Sequence, residues 1–164
     1  MIALAVVALA GCGGGTHPSS TPSTPHVTPA CAGRDLGGSF SVVRGSAGAG
    51  QIVYLLRLRN VSSAACYLGA APRLRLLGAD GRPLPTRAVW PGGRRLKLAP
   101  GATASTMARF SPDVPGVGEG GLGGCEPVAH ELRVTPAGGG SARVPVRPPT
   151  PVCEHGRLGL KRLT

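Results

Sequence analysis

The chain has 164 residues, one domain's length with room for extra segments at either end. Gly 27 and Pro 17 together exceed a quarter of it, which disfavours long helices and favours strands, turns and linkers, and 3% aromatics leave a core to be built from Leu, Val and Ala. The formal charge of +11 points to a polyanionic partner, although GC-rich codons for Arg, Ala, Gly and Pro account for much of it, and no aromatics interleave the basic residues as nucleic-acid binding would require.

Residues Ile2 to Ala10 are apolar throughout. A bilayer span takes about 20 residues, so the run is too short to cross and has the length of a signal-peptide h-region. It ends in Leu9-Ala10-Gly11-Cys12, which resembles the bacterial lipobox. The resemblance implies that residues 1–11 are removed and that Cys12 carries a diacylglyceryl thioether. Two acyl chains anchor stably where one binds only marginally. No Lys or Arg precedes the apolar run, which leaves the Met1 amino group as its only positive charge or places the true start upstream. Residues 12–30 are then the lipidated cysteine and a Ser/Thr/Pro-rich tether, biased toward polyproline II by Pro18, Pro22, Pro25 and Pro29. His17 and His26 lie in this tether and are expected to be solvated.

The folded domain is expected over residues 31–164. In QIVYLLRLRN, Tyr54, Leu56 and Leu58 share one strand face, and Arg57 and Arg59 the other. RLRLLGADGRPL repeats the alternation with Leu74 and Leu76 inward and Arg73 and Arg75 outward, then turns at Asp80-Gly81. RRLKLAPGATASTMARF predicts a short strand, a Pro100-Gly101 turn and a second strand. HELRVTPAGGGSARVPV reads as a hairpin around residues 138–140, and GRLGLKRL as a closing strand. About seven short strands separated by turns predict an all-β, antiparallel sandwich. The alternating arginines are in the main the solvated face of that sheet.

Cys12 is the odd cysteine, and lipid accounts for it. An exported domain meets an oxidising environment, so Cys31, Cys66, Cys125 and Cys153 are expected to form two disulfides. Sequence alone allows three pairings. Cys31 with Cys66, and Cys125 with Cys153, is favoured because each bridge links one half of the domain. The rival reading is an exported metal-binding or redox protein that uses Cys125, His130, Cys153 and His155; the spacings match no standard finger.

GVGEGG, residues 116–121, satisfies G-x-G-x-x-G but lacks the preceding strand and the following helix, so it reads as a loop. No G-x-S-x-G elbow is present, and Asp35, Asp80 and Asp113 sit beside turn signals rather than in an acid/base pair. NVS at Asn60 is formally a glycosylation sequon, which the lipobox makes irrelevant. Trp90 beside Pro91 is read as a capped edge or partly buried residue, with a ligand platform as the alternative.

Cys31 with Asp35-Leu36, the segments LRLRNVSSAACYL, PRLRLLGADGRPL and LKLAPGATAS, Cys125 with HELRVTP, and Cys153 resemble an actinobacterial lipoprotein family, the domain of unknown function 4232. The resemblance covers nearly all of residues 31–164. It implies an immunoglobulin-like sandwich outside the membrane and brings no catalytic residues. The expected protein is a non-enzymatic, lipid-anchored module on the extracytoplasmic face of the cell membrane. It needs no cofactor or metal and binds an envelope protein or an anionic surface component. Arg57, Arg59, Arg73, Arg75, Arg94 and Arg95 are the candidate contacts.

Overall fold

A computed structural model describes residues 27–119, 125 and 127–164. Among these residues ten strands carry the fold: β1 (Leu36–Val42), β2 (Ile52–Asn60), β3 (Cys66–Leu68), β4 (Arg73–Leu77), β5 (Arg87–Val89), β6 (Leu96–Leu98), β7 (Thr103–Phe110), β8 (Val128–Thr135), β9 (Ala142–Pro151) and β10 (Arg157–Leu160). The described helical structure is two single 3₁₀ turns, Gly33–Asp35 and Glu154–Gly156. Among the described residues no helix is long and apolar enough to cross a membrane.

Eight strands form one sheet in the order β4-β8-β9-β1-β2-β7-β10-β5, and β3 pairs with β6 beside it. The ends of the order, β4 and β5, approach each other, so the sheet is nearly closed into a barrel. Alternation in the strands fixes which side faces in. Tyr54, Leu56 and Leu58 are buried and Arg57 and Arg59 exposed along β2, and Leu74 and Leu76 are buried between exposed Arg73 and Arg75 along β4. The expected turns form at Asp80-Gly81, where Asp80 Oδ1 accepts the Arg82 N–H at 3.0 Å, and at Pro100-Gly101. The Asp35 carboxylate likewise accepts the Ala32 N–H at 2.8 Å in the first 3₁₀ turn.

Two expectations are corrected. The strands among the described residues number ten rather than about seven, the additional ones being β1, β3 and β5. The last two of these have only three residues each, too few for alternation to show. β1 is masked by Gly37, Gly38, Ser39 and Ser41, which have poor strand propensity. It nonetheless lies mid-sheet, because its partners supply the pairing, and Gly38 is needed there: a Cβ would stand 2.5 Å from the Arg57 carbonyl oxygen. The sheet is also not wholly antiparallel. β1 runs parallel to β9 at Phe40↔Val146 and Ser41↔Arg147, and β5 runs parallel to β10.

The core also departs from a purely aliphatic one. Phe40 stacks on Tyr54 with ring centroids 4.7 Å apart, and Tyr54 meets Phe110 edge-on at 6.3 Å. Three of the few aromatics thus meet in a core otherwise made mainly of leucine, valine and alanine. The buried Tyr54 hydroxyl is satisfied by Thr150 Oγ1 and the Pro148 carbonyl, and burial raises its pKa above the ordinary tyrosine value.

Both disulfides of the favoured pairing are formed, Cys31–Cys66 and Cys125–Cys153. Pro29 and Ala30, read from sequence as the end of the tether, already lie along β3: the Tyr67 N–H donates to the Pro29 carbonyl at 2.8 Å.

Candidate functional site

The outward residues of β4, β8 and β9 fall into cross-strand rows, because directly opposed residues share a face. Arg75 opposes Arg133, and Arg133 opposes Arg143. Three cations therefore stand side by side across three strands, an arrangement in which each repels its neighbour. Glu131 relieves one of them, its Oε2 accepting from Arg143 Nη1 at 3.1 Å. Arg73 lies two residues before Arg75 on the same face and opposes Thr135.

Over the free edge of β4 this basic face runs into an open groove of about 690 Å³. Arg73, Arg75 and Arg133 line one side, and Thr86, Ala88 and Trp90, in and beside β5, line the other; among the described residues no carboxylate lines it. The groove exists because β5 parts from β4 to pair with β10. Only as far as Leu76 is the edge of β4 covered: its N–H donates to Thr86 Oγ1 at 2.8 Å, and its carbonyl accepts from the Leu84 N–H at 2.9 Å. Trp90 is half-buried, packed against the core and presented to the groove at once. The arrangement offers fixed positive charge, an aromatic surface and small hydroxyl groups, a chemistry suited to holding an extended anion.

Of the six candidate arginines, the structure brings Arg73 and Arg75 together in this groove. Arg57 and Arg59 stand on β2, where Arg59 Nε donates to the Gly101 carbonyl at 3.1 Å. Arg95 packs its guanidinium over the Tyr67 ring, 4.4 Å from the centroid, and Arg94 is exposed in the preceding loop. Sequence reasoning missed Arg133 and Arg143. Their alternation in β8 and β9 was visible, but the register that sets them beside Arg75 is a long-range pairing.

The cysteine and histidine residues of the rival reading are distributed differently. Cys125 and Cys153 are bonded to each other, His130 stands on β8, and His155 engages Glu119. Among the described residues no three His, Cys, Asp or Glu side chains group as a metal site would need. Glu119 forms a latch instead: one carboxylate oxygen accepts the Gly116 N–H at 2.9 Å, and the other lies 3.0 Å from His155 Nδ1. The Gly116 bond, with the His155 backbone N–H and ring adding to it against partial desolvation, holds the carboxyl below the ordinary glutamate range. Because the folded-state pKa is depressed, the latch is at full strength above the unfolded value and is lost as pH falls through the folded one. The Gly116 and His155 amide resonances should therefore shift together in that acidic window; amides that stay fixed there would contradict the latch.

Cys12, His17 and His26, together with residues 120 and 121 of the glycine-rich loop, lie outside the described residues.

No curated protein and no solved structure matches the chain. A family model described as a domain of unknown function (DUF4232) matches residues 31–163. That span begins at the first disulfide cysteine, takes in the Asp80-Gly81 turn and the whole arginine groove, and stops one residue short of the end. Over that length the chain belongs to the family of the domain of unknown function 4232.

Proposed function

We propose that this chain is an actinobacterial lipoprotein, held by lipid on Cys12 at the extracytoplasmic face of the cell membrane. It binds an anionic component of the cell envelope and catalyses no reaction. The observation that carries the binding reading is the groove that Arg73, Arg75 and Arg133 line beside Trp90, with no carboxylate among its described lining residues. Lining up like charges across a sheet costs stability. A bound polyanion turns that cost into affinity, because each guanidinium then finds an acceptor. The lipobox and the two disulfides support export and anchoring.

We further read the fold as an immunoglobulin-like sandwich whose layers share β9. Its first half and its last two residues pair with β8 in the group β4-β8-β9, and its middle pairs with β1 in the group that runs on to β5.

Titration with polyphosphate, followed by Trp90 fluorescence, tests the binding site. Affinity should fall roughly tenfold between low and high salt, as screening weakens exposed charges. It should fall further in Arg73→Glu with Arg75→Glu. Affinity indifferent to both would overturn the proposal.

A further inference from the structure

We propose that the groove accepts an extended acidic polypeptide, which adds to the free edge of β4 as a further strand. The inference rests on the anionic-groove reading above and names the class of ligand.

The edge itself is the first argument. β4 is a terminal strand of the sheet: among the named strands it pairs with β8, and on its other edge a bridge at Leu77↔Pro83 and the Leu76 bonds cover its C-terminal end. In an antiparallel ladder the backbone groups of alternate residues point to opposite sides. Leu76 sends its N–H and carbonyl away from β8, toward Thr86 and Leu84, so Leu74, two residues earlier, sends its own pair the same way. There the covering segment has left for β10, and among the described residues no hydrogen bond closes Leu74 on that side. Leu74 and Trp90 both line the groove at that point. An exposed edge of this kind is a template for another chain, and proteins that leave one open within a groove use it for recognition.

Charge selects the occupant. A strand laid beside β4 places alternate side chains over the face that carries Arg73 and Arg75, with Arg133 behind them. Carboxylates at every second position would meet guanidinium groups, and small or β-branched residues between them would face Trp90 and Ala88. A basic or featureless strand would meet the same hydrogen-bonding edge against repulsion or without gain, so the arginines supply the specificity.

The test uses the full chain in detergent and an end-blocked nine-residue peptide of alternating Glu and Thr, with a Lys/Thr peptide as control. At saturation the Glu/Thr peptide should slow hydrogen exchange of the Leu74 amide at least tenfold. The double variant Arg73→Glu, Arg75→Glu changes only exposed side chains and should lose roughly tenfold or more in affinity for it while gaining the Lys/Thr peptide. If the peptide binds through the arginines but Leu74 exchanges as before, strand addition is overturned and the anionic groove stands. If neither the peptide nor polyphosphate senses the arginines, both fail together.

Discussion

Replacing Asn60 with alanine is expected to lower the free energy of unfolding by about 3 kcal/mol, measured by urea denaturation. Asn60 ends β2 and is fully buried, and its side chain serves four groups. Nδ2 donates to the Ala64 carbonyl at 2.8 Å and to the Leu98 carbonyl at 3.1 Å. Oδ1 accepts the Ser62 N–H at 3.0 Å and the Ser62 hydroxyl at 2.8 Å. One amide thereby ties the end of β2, the turn leading to Cys66, and β6. Alanine would leave those groups unmatched where water enters poorly, and each such loss costs about 1–3 kcal/mol before relaxation. Asn60→Asp discriminates this account from simple packing. It keeps the acceptor and the shape but sets a carboxylate against two carbonyl oxygens, so its folded-state pKa rises above the unfolded value. The variant should then be closest to wild type at acid pH and lose stability as pH rises through the folded pKa. A pH-independent deficit would refute the hydrogen-bond account. The same burial means that the NVS sequence is an anchoring turn in the folded chain, not an accessible acceptor for a glycan.

Removing the Cys31–Cys66 bridge by double serine substitution should cost about 4 kcal/mol in the chain-entropy account, for a bridge spanning 35 residues. Both cysteines are buried in the core cluster, so the serines add the cost of burying hydroxyl groups in an apolar setting. The bridge also fixes the start of the domain to β3, where the Cys31 N–H donates to the Tyr67 carbonyl. Removing Cys125–Cys153, which spans 28 residues, should cost less overall, because Cys125 is only half-buried. Parallel denaturation of the two variants tests the ranking, and equal losses would show that loop closure alone governs both.

Strand identity was legible wherever side chains alternate strictly. β2 and β4 show in the sequence because Leu and Arg take turns, and burial follows that pattern residue by residue. β1 was not, although it sits between β2 and β9, because glycine and serine give no alternating signal and its place is set by strands far away in sequence. Of the site, Arg73 and Arg75 could be named from their outward positions. Arg133 could not be joined to them, since a one-residue change of register between β4 and β8 would turn it away from their face.

The sequence by itself determined the class of fold, the inward and outward sides of its longest strands and the Asp80-Gly81 and Pro100-Gly101 turns, while it left three cysteine pairings open, among which the structure decided. The features it determined rest on local pattern or on short separations along the chain. The tertiary structure alone decided the parallel joins of β1 to β9 and β5 to β10, the aromatic trio at the core, and the gap between β4 and β5 that makes the groove. The physical reason is the same for each. They depend on which distant strands pair, and pairing is settled by the joint burial of many side chains rather than by any one segment's propensity.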